Sequence, residues 1–308
     1  MRTILGYFVA VTAIAGGYDA STLVETASWP VALRAQMTRL AEVDWRLRIA
    51  ARNSCPHQSS DIGITVDYRE AYPAAERKML YQSLRLGEYP QVVAVIADSP
   101  AASAGFKPGD EVLSLGEKSI AKIRAASSDS ELLADDMTDM IGDLPANVPI
   151  VIKLRRGKML LRKAIVPVTL CATRTVLKTD REVDAYGDSN GIAVTSALID
   201  FTENDDELAL VIGHELAHII LNDTPSSQFA QSQSIESAAD ILGATIGHCA
   251  GYDMKRAAAF WSRFESQDML SRRRMGTHPS PPQREIQLLG SVSRLTCPVT
   301  LPQSLIRY

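Results

Sequence analysis

Residues 211 to 220 read VIGHELAHII, and no other stretch constrains the fold as tightly. Val211, Ile212, Leu216, Ala217, Ile219 and Ile220 call for a buried helix, yet the same run carries His214, Glu215 and His218. Buried polar groups must find partners. His214 and His218 are four residues apart, which on an α-helix sets them about 40° apart around the axis and one turn along. Both rings therefore reach a single metal ion. Glu215 projects about 100° from His214, close enough to flank the ion without ligating it. The longer run TENDDELALVIGHELAHIIL opens with Asp205, Asp206 and Glu207, acidic residues that suit the positive end of a helix.

This spacing is the HExxH pattern, in which two histidines bind zinc and the glutamate acts as general base. A catalytic zinc keeps three protein ligands and one open position, so a third ligand must come from elsewhere. His57 lies in a Pro/Ser-rich loop, and His248 and Glu236 share the next helical run. His248 sits about 120° round that helix from Glu236 and cannot easily share the ion with it. Glu236 is the expected ligand. Asp240, one turn beyond it on the same face, falls where a carboxylate holds the second ring N–H of a zinc histidine.

A length of 308 residues suggests about two domains. A formal net charge of −4 argues against nucleic acid as a partner, because phosphate-binding surfaces need clustered excess Lys and Arg. The basic runs KLRRGK and SRRRMG read as a hairpin turn and a loop. MRTILGYFVAVTAIAGG places one arginine before an apolar run, Ile4 to Ala15, that is short for a membrane span. It fits a secretory signal with a small-x-small cleavage site at Ala13-Ile14-Ala15. A membrane anchor or a buried first strand are the other readings; membrane association is not required. Cys55, Cys171, Cys249 and Cys297 form no CxxC pair, a spacing that suits disulfides in an oxidising compartment.

Along the chain, PVALRAQMTRLAEVDWRLRIAARNS has the apolar spacing of one amphipathic helix. A β-rich run at 92–96 follows, then a small-residue stretch, Ser99 to Gly105, that reads as a short helix. DSELLADDMTDMIGDL has helical spacing, and PIVIKLRRGKMLLRKAIVPVTL reads as two strands joined at Arg156-Gly157. VDAYGDSNGIAVTSALIDF reads as an edge strand, a turn and a strand entering a helix. SSQFAQSQS reads as a polar link, and THPSPPQR as a proline-rich loop rather than a helix. SIESAADILGATIGHCAGYD and MKRAAAFWSRFESQ read as two further helices.

SPAASAGFKPGDEVLSLGEKSI resembles the core of a PDZ domain of the bacterial protease type. That resemblance implies that a peptide adds as a strand to the sheet edge, and that Ile62, Gly63 and Ile64 of DIGITV form the loop holding its terminal carboxylate. DELALVIGHELAH, ESAADILGA, AGYD and THPSPPQR together resemble the gluzincin metallopeptidases. More narrowly, they resemble the family that includes the HtpX heat-shock protease, the CAAX prenyl protease and periplasmic quality-control proteases. The resemblance implies one Zn2+ on His214, His218 and Glu236, with Glu215 as base. It also places His278 and Arg284 at the catalytic centre as candidates to stabilise the oxyanion. Ala185-Tyr186-Gly187 matches the strand that pairs with substrate, where the family reads closer to Asn-Ala-Phe.

The expected fold is α+β: a helical, zincin-like domain with a small sheet, plus a β-rich PDZ domain. The expected divisions are a signal peptide at 1–17, the first peptidase helix at 18–58, the PDZ domain at 59–170 and the metallopeptidase domain at 171–308. Cys55 and Cys171 bracket the insertion and are expected to pair, as are Cys249 and Cys297. The expected function is a zinc endopeptidase acting on proteins or peptides in envelope quality control, exported to the periplasm or envelope. The alternative is a PDZ-containing binding protein with a latent zinc site.

Overall fold

The computed structural model describes residues 28–188, 191–222, 229–267 and 280–301. The expected signal segment lies outside them. The fold is α+β. It opens with α1 (Trp29–Ala51), which starts at a proline in its first turn, where a missing N–H costs nothing. Strands β1 (Gln58–Asp61) and β2 (Ile64–Asp67) follow, then α2 (Arg77–Leu84), β3 (Gln91–Val95), α3 (Pro100–Ser103), β4 (Glu111–Leu115), β5 (Lys118–Ser119), α4 (Ile120–Ala126) and α5 (Leu133–Gly142). The hairpin β6 (Ile150–Arg156) and β7 (Met159–Ile165) turns at Gly157, whose φ of 58° favours glycine. All of these strands except β1 form one sheet in the order β2-β3-β4-β6-β7, with β5 paired to β4. Val92, Val112, Ile152 and Leu154 pack beneath Leu133, Met137 and Ile141 of α5 as one core.

Strand β8 (Val168–Cys171) returns antiparallel to β1, and the Cys55–Cys171 disulfide closes the same neck. A second small sheet follows: β9 (Thr175–Lys178), β10 (Ala185–Asp188) and β11 (Gly191–Thr195), in the order β10-β11-β9. The remaining elements are α6 (Ser196–Phe201), α7 (Asp205–Leu221), α8 (Phe229–Cys249), α9 (Met254–Ala257), α10 (Ala259–Gln267) and α11 (Pro281–Ser291). Leu40, Val43 and Leu47 of α1 join Leu208, Ile212 and Leu216 of α7, Leu242 and Ile246 of α8, and Phe260 of α10 in the second core. The Cys249–Cys297 disulfide ties the end of α8 to the chain beyond α11. Among the described residues no helix is long and apolar enough to cross a membrane.

Three local expectations change. FAQSQS is not a link: α8 begins at Phe229 and runs through it, because the segment holds no glycine or proline to stop a helix. MKRAAAFWSRFESQ is not one helix but α9 and α10 in succession. Pro281 and Pro282 do not exclude a helix. They occupy the first turn of α11, where proline is favoured, behind a capping box of Ser280 and Gln283.

Candidate metal centre

α7 is set locally before any packing. The Asn204 side chain caps it by accepting from the Glu207 amide, Asp205 to Glu207 fill its first turn, and Asn222 ends it in the left-handed region at φ 51°. Its contact with α8 is backbone to backbone. A Cβ at Gly243 would lie 2.6 Å from the Gly213 carbonyl carbon and from the His214 amide, and a Cβ at Gly213 would lie 2.8 Å from the Gly243 carbonyl oxygen. The approach occurs one residue before His214 and brings the earlier turns of α8 onto the histidines.

The result is a three-donor cluster. Nε2 of His214 lies 3.1 Å from Nε2 of His218 and 3.3 Å from Oε2 of Glu236, and His218 Nε2 lies 3.5 Å from that oxygen. Donors about 2.0–2.1 Å from one tetrahedral ion stand about 3.3 Å apart, so the set fits zinc in spacing and in its two-nitrogen, one-oxygen chemistry. His214 and Glu236 are buried, while His218 is half-buried and marks the open side. His57 and His248 are exposed and outside the cluster.

Asp240 supports His214 from behind. Its Oδ1 lies 2.9 Å from His214 Nδ1, which leaves Nε2 for the cluster. Arg284 donates from Nε to both Asp240 oxygens, at 2.9 and 3.1 Å, and its second nitrogen also bonds Oδ1. Its guanidinium stacks 3.5 Å from the centroid of the Trp261 ring and lies 3.0 Å from His214 Nδ1. Burial works against the charged form of both titrating groups here. The Arg284 charge and the hydrogen bonds from His214 and Arg284 nevertheless hold Asp240 down at about 2. His214 is opposed by burial and by Arg284, yet its hydrogen bonds to Asp240 and Glu236 raise it to about 9.

This corrects the expectation for Arg284. Its guanidinium is committed to Asp240 and Trp261, and one of its nitrogens lies along the His214 ring, 3.0 Å from Nδ1 and 3.5 Å from Nε2, so its geometry is that of a residue that positions His214. The other oxyanion candidate, His278, lies outside the described residues. Trp261 carried no sequence signal beyond an aromatic on a helix.

Glu215 lies against β10. A Cβ at Gly187 would sit 3.3 Å from Glu215 Oε2 and 3.6 Å from its carbonyl oxygen, so glycine leaves the carboxylate room to move. β10 is the edge of its sheet, bonded to β11 on one side. Ala185, Tyr186 and Gly187 thus form a strand running past Glu215, with Tyr186 exposed and the Lys178 ammonium 5.4 Å from its ring.

The expected carboxylate loop is built otherwise than its sequence suggests. Asp61 Oδ1 already accepts from the amides of Ile62, at 2.7 Å, and Gly63, at 2.9 Å. The Ile62 side chain is fully buried, and the Gly63 carbonyl accepts from Ile96. Gly63 is required by its φ of 77° and by Ser99, whose Cβ would be 2.3 Å from a side chain there. Asp61, the acidic residue directly before Ile62-Gly63-Ile64, was the available signal.

Residues 154–234 match the family model of peptidase family M48, a span that contains His214, Glu215 and His218 and ends just before Glu236. No curated protein sequence matches the chain. Among solved structures, an HtrA-type protease AlgW with a decapeptide is similar at 21% identity over 38% of this chain and 31% of that one, with a TM-score of 0.29. The HtrA3 PDZ domain bound to a phage-derived ligand (FGRWV) is similar at 19% identity over 37% of this chain and 91% of that one, with a TM-score of 0.26. The chain thus spans about a third of the AlgW protein it resembles.

Proposed function

We propose that this chain is a zinc-dependent endopeptidase of the exported, quality-control kind, with a PDZ-like sheet unit that receives peptide. The observation that carries the reading is the convergence of His214, His218 and Glu236 donors beside an edge strand that also borders Glu215. The match to peptidase family M48 supports it. His214, His218 and Glu236 would hold the ion. When bound there, zinc supplies Lewis acidity, polarising a peptide carbonyl and lowering the pKa of a water towards about 7. Every other task falls to the protein. The β10 edge pairs with the substrate backbone and fixes the scissile bond beside α7. Glu215 takes the proton of the attacking water and delivers it to the leaving amine as the C–N bond breaks. Asp240, held by an Arg284 that stacks on Trp261, keeps the His214 ring from rotating.

Glu215→Gln is the direct test, because it removes the base and leaves every ligand. Casein hydrolysis should fall by about a hundredfold or more, with about one zinc per chain still bound. Hydrolysis at the unmodified rate would overturn the mechanism, and chelator-insensitive hydrolysis would overturn the metal. Export is supported by the two disulfides, which persist in oxidising compartments. Thiol titration of denatured, unreduced protein from its native source should find no reactive cysteine; four reactive thiols would refute export.

A further inference from the structure

β2 pairs with β3, and among the described residues no strand lies along its other edge. α5 runs alongside that edge in the opposite direction. Near its start, the Tyr68 hydroxyl beyond β2 donates to the Glu131 carbonyl; past its end, Ser60 before β2 donates to the Leu144 carbonyl at 2.6 Å. Half-buried Ile64 and Val66 of β2 and Ala134 and Met140 of α5 share one apolar cluster. A peptide strand added to β2 would lie between them, with one end at the turn of residues 61–63.

What that turn offers decides whether the ligand must end there. A chain terminus needs amides with no acceptor of their own. Here the Ile62 and Gly63 amides are taken by Asp61 Oδ1. Asp61 Oδ2 in turn accepts from Arg48 at 3.1 Å, and Arg48 is fixed by the Cys171 carbonyl at 2.9 Å and by Asp44 at 3.3 Å. A terminal carboxylate would either displace Asp61 from both of its amide donors, or stand beside it as a second anion. We infer that Asp61 is a specificity-determining residue: it closes the β2 groove to free chain ends and selects interior segments of extended polypeptide. A segment that continues past the turn brings no charge there, and its affinity comes from backbone pairing with β2. The inference rests on the proposed reading of β2 as a peptide-accepting edge.

The probe is a set of overlapping decapeptides tiling β-casein, each made as free acid and as C-terminal carboxamide. They are titrated against the full chain carrying Glu215→Gln, so that nothing is cut. The acid and amide forms of each binder should agree within about twofold, since no charge-assisted bond distinguishes them. Added Asp61→Ala vacates the amides and should make acids bind about tenfold or more tightly than their amides, whereas Asp61→Asn, which keeps an acceptor, should stay indifferent. Acids preferred tenfold without any change at Asp61 would overturn the inference and leave the peptide-binding reading intact. Continued indifference in a folded Asp61→Ala chain would overturn the role of Asp61. Should that variant not fold, the acid-to-amide ratio of the parent decides alone. Binding to no decapeptide, or binding untouched by Val66→Lys on β2, would overturn the reading of the groove and the inference with it.

Discussion

Asp240 answers to two charges at once. It accepts from His214 Nδ1 on one side and is gripped by Arg284 on the other, all three groups being buried. Removing one member of a buried pair costs about 3–5 kcal/mol, mostly through the charge left behind. Asp240→Asn should therefore destabilise the fold by that order and weaken zinc about 10–100-fold, as losses of a ligand's outer partner do. Adding Arg284→Met removes the stranded cation. The double variant should regain stability in a thermal melt but not zinc in a chelator competition. If zinc affinity also returns, Asp240 is only a counter-ion to Arg284. The same carboxyl sets an acid limit. Its folded pKa of about 2 lies below the ordinary 3.8, so its contribution is fully present above about pH 4 and is lost as pH falls through about 2. Acid titration of metal-stripped protein should show that loss in the unmodified chain and not in Asp240→Asn.

At the scale of elements, the site depends on how closely α7 and α8 approach. Ala is better than Gly in a helix by about 1 kcal/mol, so propensity alone predicts that Gly243→Ala stabilises. Its Cβ would meet the backbone of Gly213 and His214 at 2.6 Å, and overpacking of that kind costs about 1–3 kcal/mol. The helices must part, and Glu236 withdraws with α8. Zinc affinity should fall more than stability does. Gly290→Ala on α11, where a Cβ meets nothing within 4 Å, should leave zinc untouched. Equal zinc affinity in both variants would show that the glycine contact does not set the site. This contact also marks where sequence reading ends. α7 was legible because its acidic first turn and its apolar surround are local, and Glu236 and Asp240 because their chemistry was restricted to few positions. Which glycines face each other, and which carboxylate Arg284 finds far away in sequence, are outcomes of packing. So too the hydrogen bonds of Asp61 depend on a turn geometry that residue types alone do not specify.

Over the whole molecule, α1 belongs to the helical core and also reaches the sheet unit through a small cluster of its own. Leu40, Val43 and Leu47 belong to the helical core with α7 and α8. Trp45, with Ala41 and Ile49, packs instead against Ala94, Ile96 and Leu170 of the sheet unit and its neck. Arg34 at the start of the helix bonds Asp67 and Gln91 of β2 and β3, and Arg48 near its end reaches Asp61. A helix so divided carries buried apolar residues on more than one face, so the amphipathic spacing read from its sequence does not say that it serves two partners. The arrangement makes the sheet unit a continuation of the helical core rather than a tethered appendage, and it predicts joint unfolding. Trp45 is the test position because it is buried in the shared contact and absent from both main cores. Truncating a buried tryptophan costs about 3–5 kcal/mol, and here the loss falls on the join. The unmodified chain should melt in one calorimetric transition. Trp45→Ala should split it, the helical unit retaining its zinc-dependent midpoint while the sheet unit melts earlier and independently of zinc. A single transition in Trp45→Ala with an unchanged midpoint would mean that the neck of β1, β8 and the Cys55–Cys171 disulfide joins the two cores, and that α1 does not.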